Sequence, residues 1–377
     1  MFYQNLKFGI IGGGQLGRML VQACPDFNLQ PSVLDSDSEA PCVPYTKSFT
    51  QGVLTDYDTV YNFGKGKDLL TIEIENINVK ALEKLEKEGT KVYPQPRVIR
   101  IIQDKRIQKQ FFKDHQIPTS DFVLIKDKSE IEKHQHLFPV FQKLGTSGYD
   151  GKGVQAIRNV ADIANALDGE GLLEKEVKFA KELSVIVARS PKGEVMVYPV
   201  VEMVFHPIQN LVEFLFSPAD IPKSVEDEAK TIAIHVIESL EMVGLLAVEM
   251  FLTDDGKILV NEVAPRPHNS GHQTIRGNYT SQYEQHLRAI LDLPLGSTMQ
   301  IKPAAMVNLL GEPGFNGIAQ YKGIEHALSI TGVFPFIYGK KYTKPYRKMG
   351  QVTILEDTIE ALKIKADYIK KIIKVEA

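Results

Sequence analysis

The sequence contains only two cysteines, Cys24 and Cys42, among 377 residues. Two cysteines supply neither a disulfide framework nor the ligand spacing of a zinc site, which excludes disulfide-rich secreted domains and zinc modules. No apolar run reaches the roughly 18 residues that a membrane-spanning helix needs, and residues 1–8 lack a basic segment followed by a long apolar stretch. We therefore expect a soluble cytoplasmic protein that makes no contact with a membrane.

The chain also lacks a strong net charge. Its 44 Lys and Arg residues and 47 Asp and Glu residues give a formal charge of -3 at pH 7, so no global electrostatic field favours nucleic acid as a partner. Hydrophobic residues make up 43% and charged residues 24%, which is ordinary for a globular protein. The length predicts two or three domains, and no low-complexity segment or repeat is visible.

A glycine-rich turn follows the first predicted strand. Residues 7–11 form a short apolar run, and Gly12, Gly14 and Gly17 then give the spacing G-x-G-x-x-G before a helical pattern. A second apolar run ends at Asp35, which completes the dinucleotide-binding fingerprint in a strand–turn–helix–strand context. An NAD-dependent oxidoreductase is therefore one alternative. The same turn can receive any phosphate at a helix N-terminus, so the fingerprint predicts the fold better than the ligand.

The remainder of this first domain ends in acidic and breaker-rich segments. Residues 69–76 alternate between apolar and polar side chains and end in an acidic cluster. If this strand is parallel to the first, Glu73 or Glu75 lies at the same sheet edge as the glycine turn and can contact a substrate; a solvated strand end is the alternative. Residues 92–96 are rich in proline and predict a domain end, and residues 97–115 predict one continuous helix.

A second glycine-rich stretch, residues 143–153, holds four glycines and two lysines. This composition favours phosphate binding through backbone N–H groups and lysine charge. It is not a Walker A loop, because Thr146 stands where the first Gly belongs and Gly153 where Ser or Thr belongs. The flanking residues 139–143 and 154–157 read as strands. We predict a mobile flap between two strands; an ordinary hairpin loop is the alternative.

A hairpin is predicted where Asp255 and Gly256 separate two apolar runs. If these two residues form the turn, Glu249 faces Glu262 directly and Asn261 lies one step away. Like charges directly opposite each other destabilise a sheet, so a cation is expected between them. Mg²⁺ held by one or two carboxylates and by substrate phosphates suits this arrangement; shielding by lysine or solvent is the alternative.

Two polar loops follow. Residues 263–272 are pinned by prolines and carry Arg266, His268 and His272, which suit clamping of a phosphate or carboxylate, hydrogen-bond donation and proton transfer. Residues 338–350 form a basic, tyrosine-bearing loop in an otherwise acidic chain, and it suits an anionic phosphate ester; a solvated basic loop is the alternative. We find no Ser or Cys constellation for nucleophilic catalysis.

Together these parts resemble the ATP-grasp superfamily and, nearly end to end, the N5-carboxyaminoimidazole ribonucleotide synthase family. Residues 12–20, 148–153, 261–272 and 347–350 carry the resemblance, and the third of these motifs is long and specific. It implies an α/β fold of ATP-grasp architecture. An N-terminal Rossmann-like pre-ATP-grasp domain would span residues 1–103, a small α+β lid domain residues 104–180, and a C-terminal mixed α+β domain residues 181–377.

The resemblance also implies a reaction. ATP would phosphorylate bicarbonate to carboxyphosphate, which releases CO₂ in the closed site; the exocyclic amine of 5-aminoimidazole ribonucleotide would capture the CO₂, leaving ADP and phosphate. Mg²⁺ as cofactor and a homodimeric assembly are implied as well. A flap that excludes water fits this chemistry, because carboxyphosphate is short-lived in water. An ATP-grasp ligase acting on a glycinamide ribonucleotide is a nearer alternative, against which the loop at residues 266–272 argues.

The resemblance assigns roles to individual residues by motif. The metal would be held by Glu249 and Glu262. Catalytic roles fall on Arg266, His268, Tyr149 and Asp150. The substrate and its phosphate would be bound by Gln15, Leu16, Glu73, Arg266, His268, Lys340, Arg347 and Lys348. The nucleotide would be bound by Lys105, Lys143, Gly148, Tyr149, Asp150, Gly151, Lys152, Gly153, Val154, Glu174, Lys175, Glu176, Val177, Glu182, Phe205, Asn261 and Glu262.

The sequence departs from the family pattern at three positions. Lys105 stands where many members carry Arg, which removes a bidentate phosphate contact. Gln351 stands where members often carry His. Phe205, followed by His206, occupies the position of a histidine that contacts ATP in the family, so that contact is in doubt.

Overall fold

The computed structural model describes residue 3 and residues 5–146, 153–206 and 211–377. In the N-terminal part of the chain, strands alternate with helices. Their bounds are β1 (Phe8–Ile11), α1 (Gln15–Ala23), β2 (Ser32–Asp35), β3 (Ser48–Gln51), α2 (Tyr57–Gly64), β4 (Leu69–Ile72), α3 (Val79–Lys87), β5 (Lys91–Val92) and α4 (Pro96–Gln103). The strands pair in parallel in the order β3-β2-β1-β4-β5, so the chain begins in the centre of the sheet and winds to both sides.

Strand β4 is shorter than its alternating sequence predicts. It ends at Ile72, and its residues are buried throughout, because helices cover both faces of a central parallel strand. The pairing of β4 with β1 runs from Phe8 opposite Leu69 to Ile11 opposite Ile72. Gly12 and Glu73 therefore leave the sheet side by side, which confirms the predicted shared edge.

Residues 97–115 form two helices, and the prediction of one continuous helix is wrong. Helix α4 ends at Gln103 and α5 (Lys105–Asp114) begins after Asp104, whose backbone is extended (φ −116°, ψ 110°). The Asp104 carboxylate accepts a hydrogen bond from the backbone N–H of Arg106 at 2.9 Å and pairs with the Arg106 guanidinium at 2.6 Å. Apolar periodicity continues across the break, so the pattern alone did not reveal it. The break places Lys105 in the first turn of α5.

A small antiparallel sheet follows. Its strands β6 (Phe122–Ile125), β7 (Val140–Leu144), β8 (Val154–Ile157) and β9 (Gly171–Lys175) pair in the order β6-β9-β7-β8. Lys143 lies opposite Val154, on either side of the glycine-rich stretch. The two predicted strands are confirmed, while residues 147–152 between them lie outside the described ranges; a strand stands where a Walker A loop requires a helix.

The rest of the chain forms a large antiparallel sheet in the order β15-β14-β10-β12-β13-β16-β21-β19, with β11 beside β10. The elements are β10 (Phe179–Arg189), β11 (Val195–Val197), β12 (Val201–Phe205), β13 (Val212–Ser217), α6 (Lys223–Ser239), β14 (Gly244–Thr253), β15 (Ile258–Ala264), α7 (Thr274–Gly277), α8 (Gln282–Ile290), β16 (Ala304–Leu310), β17 (Gly317–Ile318), β18 (Gln320–Lys322), α9 (Ile324–Leu328), β19 (Val333–Ile337), β20 (Tyr342–Thr343), β21 (Lys348–Leu355), α10 (Ile359–Ile372) and β22 (Lys374–Glu376).

Apolar packing fixes these parts against one another. Helix α6 packs on β10 and β14, and α10 packs on β16 and β21. Tyr283 and Leu287 of α8 share a buried cluster with Met19 and Leu20 of α1, which joins the large sheet to the N-terminal domain. None of the helices in the described ranges combines the length and apolar character that a bilayer crossing requires. The division of the chain at residues 103 and 180 stays a prediction.

Replacement of Asp104 tests the helix break. We expect Asp104→Ala to lower the free energy of unfolding by about 1–2 kcal/mol, because the first turn of α5 loses its cap. Asp104→Asn is the matched control, since Asn caps equally well and loses only the ion pair with Arg106, so we expect a smaller loss than in Asp104→Ala, which loses both. Urea denaturation measures both, and equal losses in the two variants would contradict the capping role.

Candidate active site

The opposed glutamates lie on the hairpin of β14 and β15, as predicted, but the turn is different. The loop is Asp254–Asp255–Gly256: the Thr253 N–H donates to the Lys257 carbonyl at 2.9 Å, and Gly256 has φ +84°. A three-residue loop shifts the pairing by one residue, so Met250 faces Val260. A β-bulge at Asn261 then restores the predicted register, and Glu249 faces Glu262.

Lysines lie beside Glu262 of β15 and beside Glu174 of β9. Lys105 Nζ lies 2.6 Å from Glu262 Oε2, and Lys109 Nζ and Lys143 Nζ lie 2.5 Å from the two oxygens of Glu174. A small cavity lies between these groups. Its lining residues are Lys105, Gln108, Lys109, Lys143, Leu172, Asn261 and Glu262. Lysine side chains such as those in its wall are groups that bind phosphate oxygens.

The opposed glutamates have opposite pKa shifts. Burial raises the pKa of Glu249, and the charges of Glu262 and Glu182 raise it further. The charge of Lys105 lowers the pKa of Glu262, whose side chain is 42% exposed. Of the two carboxylates, Glu249 therefore takes up a proton more readily than Glu262.

The glutamate pair fits Mg²⁺ that arrives with a nucleotide. Mg²⁺ is usually bound through one or two carboxylates and takes its other ligands from phosphate and water. Within the ranges that the structure describes, no group of three or more His, Cys, Asp or Glu side chains converges as a protein-only metal site would. The raised pKa of Glu249 marks a place where positive charge is lacking, because Lys105 pairs with Glu262.

His268 joins the glutamate pair to the loop at residues 263–272. Its Nε2 lies 3.3 Å from Glu249 Oε1, and its Nδ1 accepts a hydrogen bond from the Ser270 backbone N–H at 3.3 Å. A backbone N–H can only donate, so Nδ1 is the acceptor and Nε2 carries the hydrogen toward Glu249. Burial, and then the charge of Arg266, lowers the pKa of His268 to about 3. The imidazole is therefore a neutral donor.

Gln282 of α8 holds the backbone of this loop. Its side-chain oxygen accepts the His268 N–H at 2.8 Å, and its amide donates to the His268 carbonyl at 2.7 Å. A Cβ atom at position 271 would lie 2.3 Å from the Gln282 oxygen, which explains Gly271. Arg266 projects from the same loop, and its Nε lies 2.8 Å from Glu75 Oε1.

The N-terminal glycine turn encloses a carboxylate of the protein itself. Glu73 accepts the Gly17 N–H at 2.6 Å, and a Cβ atom at Gly12 would lie 2.4 Å from Glu73 Cγ. Asp35 accepts the Gly13 N–H at 2.6 Å. A dinucleotide pyrophosphate would have to displace two carboxylates from these donors, and like charges repel. The oxidoreductase alternative therefore loses its support.

The basic loop at residues 338–350 reaches both the glycine turn and the loop at residues 263–272. Lys340 Nζ donates to Gln15 Oε1 at 2.8 Å, and Gln15 Nε2 lies 3.5 Å from Asn269 Oδ1. The charge of Lys348 contributes to the lowered pKa of His268, so Lys348 also lies near this loop. Arg347 Nη1 donates to the Tyr342 carbonyl at 2.6 Å within its own loop. The structure thus brings Lys340 to the glycine turn and Lys348 near His268, whereas the contact of Arg347 lies within its own loop.

Leu16 is placed differently from the other proposed substrate ligands. Its side chain is buried in the core with Met19 and Leu20 of α1. A substrate contact at this position would have to come from the backbone.

The proposed nucleotide-binding residues fall into two places. Glu182 of β10 lies near the glutamate pair, and burial, followed by the charge of Glu262, raises its pKa to about 7. Lys175, Glu176 and Val177 lie at the passage from β9 to β10, between the two sheets. The Glu174 side chain lies among the lysines, so any contact with an adenine edge would come from backbone atoms.

Phe205 is the last residue of β12, opposite Val212. The ring of the following His206 packs edge-on against Tyr346 of the basic loop, with centroids 6.4 Å apart.

Gly148, Tyr149, Asp150, Gly151 and Lys152 fall outside the described residues. Gly153 is described, with φ +72° and its carbonyl accepting the Leu144 N–H at 2.9 Å, and Val154 begins β8. The functional roles of all these residues stay predictions.

Lys109 is not among the predicted site residues, although a signal for it is present in the sequence. Lys109 lies four residues after Lys105, so both side chains project from one face of α5. Burial lowers the pKa of Lys109 to about 8, against the opposing charge of Glu174. Glu75 was named only as an open candidate, and its contact with Arg266 joins residues 191 positions apart, which no local pattern reveals.

The charge state of His268 can be measured. We expect the ring to stay neutral, with its hydrogen on Nε2, from about pH 8 down to about pH 5, because its pKa of about 3 lies below the ordinary value of roughly 6.5. As the pH falls, His268 is protonated in the unfolded chain before it is protonated in the folded one. The group therefore lowers the free energy of unfolding as the pH falls from about 6.5 toward 3. Histidine ¹⁵N NMR, with the resonance assigned by its loss in His268→Asn, tests this; a midpoint between pH 5 and 8 would contradict it.

Family models match three successive parts of the chain. A ribonucleotide synthetase preATP-grasp domain matches residues 6–103, an ATP-grasp domain residues 110–283, and a phosphoribosylaminoimidazole carboxylase C-terminal domain residues 304–365. These matches agree with the predicted order of domains. The predicted ATP-grasp fold class is confirmed.

Among curated proteins, the phosphoribosylaminoimidazole carboxylase of Candida glabrata is 37% identical over 362 residues, which cover 92% of this chain and 63% of that protein. The chain thus spans less than two thirds of the length of such relatives. The N5-carboxyaminoimidazole ribonucleotide synthase of Bacillus subtilis is 35% identical over 94% of this chain and 93% of its own length.

Solved structures are similar over the whole chain. The N5-carboxyaminoimidazole ribonucleotide synthetase of Thermotoga maritima has a TM-score of 0.90 and 44% identity, covering 99% of both chains. The synthase of Aspergillus clavatus, solved with ADP and 5-aminoimidazole ribonucleotide, has a TM-score of 0.89 and 31% identity, covering 98% of both chains. The chain therefore belongs to the N5-carboxyaminoimidazole ribonucleotide synthase family of ATP-grasp proteins.

Proposed function

We propose that the chain carboxylates 5-aminoimidazole ribonucleotide to N5-carboxyaminoimidazole ribonucleotide, with ATP and bicarbonate as co-substrates, in de novo purine biosynthesis. The observation that carries this proposal is the 3.3 Å contact between His268 Nε2 and Glu249 Oε1. It joins a metal–phosphate site to a polar loop, as a reaction requires when an activated phosphate forms and is consumed in one place. The ligands of the Aspergillus clavatus enzyme support the same substrate class here.

In the first half of the proposed reaction, a bicarbonate oxygen attacks the γ-phosphorus of ATP and ADP leaves with the electron pair. Such a transfer needs positioning and charge neutralisation rather than a protein nucleophile. Lys105 and Lys143 would bind phosphate oxygens from the wall of the cavity. Glu249 and Glu262 would hold Mg²⁺, which supplies further positive charge at the transferring phosphoryl group.

In the second half, carboxyphosphate breaks into CO₂ and phosphate, and the exocyclic amine of the ribonucleotide attacks the carbon of CO₂. The amine loses one proton, which the released phosphate can accept. Neutral His268 would donate a hydrogen bond from its Nε2–H to an oxygen of the intermediate, and it would not accept a proton from the intermediate. Arg266, held by Glu75, would pair with the same anion. Residues 148–154 would cover the site and exclude water.

The phosphate of the ribonucleotide would lie beside the glycine turn. Lys340 already contacts Gln15 there, and Lys348 and Arg347 belong to the same basic loop. Glu73 closes the turn from beneath and would meet the heterocycle or ribose rather than the phosphate, because a carboxylate repels phosphate. A ligase for glycinamide ribonucleotides remains the alternative within the superfamily.

A homodimer and a cytoplasmic location belong to the same proposal. Tyr279, Met299 and Ile301 are exposed apolar neighbours, joined by a hydrogen bond from the Tyr279 N–H to the Met299 carbonyl at 3.1 Å, and such patches often mark interfaces. The two cysteines are buried and unpaired, which suits a reducing compartment. Light scattering that gives the mass of one chain would contradict the dimer.

Phosphate release from MgATP tests the function. We expect release to require both bicarbonate and 5-aminoimidazole ribonucleotide, or to rise strongly with them. Release triggered by a glycinamide ribonucleotide instead would assign the alternative substrate. An absence of ATP turnover with either ribonucleotide would refute the proposal, and NADH fluorescence on mixing would then test the oxidoreductase alternative.

The glutamate pair gives a second test. We expect Glu249→Gln to lower kcat by about 10²–10³-fold, the loss that follows removal of one electrostatic contact to a transition state, and to raise the Mg²⁺ concentration needed for half-maximal rate. Asp255→Asn is the matched control, because Asp255 lies on the exposed turn of the same hairpin and should leave both quantities unchanged. Equal effects of the two variants would contradict the metal assignment.

A further inference from the structure

Lys109 is the most enclosed of the lysines around the cavity. Its side chain is 3% exposed, whereas those of Lys143 and Lys105 are 15% and 20% exposed. No motif of the family resemblance includes it. A lysine buried to this extent needs a reason, because taking an ammonium group out of water is costly.

The Lys109 ammonium group donates to acceptors that are part of the protein. Nζ lies 2.5 Å from Glu174 Oε1 and 2.5 Å from Thr119 Oγ1, and it lies 3.4 Å from both Ser120 Oγ and the Val260 carbonyl. An ammonium group has three hydrogens, so these neighbours use all of its donors. The contacts involve β9 of the small antiparallel sheet, the segment before β6 and strand β15, and they hold Lys109 in place.

Lys143 is held more loosely and faces the cavity. Its Nζ contacts the other oxygen of Glu174 at 2.5 Å and Asn261 Oδ1 at 3.2 Å. Both Lys143 and Asn261 line the small cavity beside Glu262. A phosphate oxygen entering there would compete with Glu174 for the Lys143 ammonium, because it offers a stronger negative charge.

Movement of Lys143 to a phosphate would remove one of the two cations beside Glu174. The Glu174 side chain is 5% exposed, so water cannot take the place of the departing lysine. A buried carboxylate without a cation is strongly unfavourable. A second cation that cannot leave removes this obstacle.

We propose that Lys109 is a positioning residue that serves as the permanent counter-ion of Glu174, so that Lys143 can exchange Glu174 for a nucleotide phosphate. The inference rests on the proposed ATP-dependent function. Without nucleotide, Glu174 holds Lys143 at the cavity wall; with nucleotide, Lys109 alone neutralises Glu174. Lys109 thereby acts on the phosphate through Lys143 and does not touch it.

Nucleotide binding by charge-altered variants tests the exchange. Calorimetry would measure binding of adenylyl imidodiphosphate, a non-hydrolysable ATP analogue, with Mg²⁺. We expect Lys109→Met to weaken binding by at least about tenfold, because Glu174 would retain Lys143 as its only cation. Lys109→Met combined with Glu174→Gln should bind within about threefold of Glu174→Gln alone, since no carboxylate is then left to neutralise.

Lys230→Met is the matched control. Lys230 pairs with Glu226 within α6, is 22% exposed and lies outside the site, so this variant should bind as the unaltered chain does. Thermal unfolding without nucleotide identifies a Lys109→Met variant that fails to fold. The double variant, in which the ion pair is replaced by neutral groups, then decides the matter by comparison with Glu174→Gln.

Two results would overturn the inference: unchanged binding by folded Lys109→Met, or a double variant that binds more than about tenfold more weakly than Glu174→Gln. Either result, with normal binding by the unaltered chain, leaves the proposed function standing. An unaltered chain that binds no analogue would overturn the proposed function, and the inference with it.

Discussion

The site depends on a conflict of charge that the sheet imposes. The register of β14 and β15 sets Glu249 directly opposite Glu262, and Glu182 adds a further carboxylate nearby. Two like charges in this position destabilise a hairpin unless positive charge is brought to them. Lys105 supplies part of it from the start of α5. The break at Asp104, the bulge at Asn261 and the adjacent lysines all serve to bring cations to this one place.

The polar contacts of the glutamate pair continue outward from the hairpin, first through a neutral histidine and then through an arginine. Glu249 meets a histidine that burial keeps neutral, and that histidine belongs to the loop that carries Arg266. Arg266 in turn meets Glu75, just beyond β4. Through these contacts the edge of the N-terminal sheet and the face of the large sheet form opposite walls of one site, although they are far apart in sequence.

Local patterns predicted the parts of this architecture that depend on neighbours along the chain. The glycine turn, the two strands that flank residues 145–153 and the hairpin follow from local patterns, since each is set by residues within about 20 positions. The break at Asp104 and the length of β4 were not, because apolar periodicity continues through both segments. The contact of Lys109 with Glu174 depends on the packing of α5 against the small antiparallel sheet, and that of Arg266 with Glu75 on packing between domains. The predicted pairing of Glu249 with Glu262 is correct, but it assumes a two-residue turn, whereas the hairpin has a three-residue turn and a bulge.

That register has a consequence for how the hairpin can change. The three-residue turn displaces the strands by one position, and the bulge at Asn261 displaces them back, so the two irregularities cancel. A slip of one residue between the two strands would turn one glutamate to the other face of the sheet. The exposed turn can therefore gain a residue as extra loop, whereas a residue gained in the paired segment between Glu249 and the turn would have to be matched by loss of the bulge.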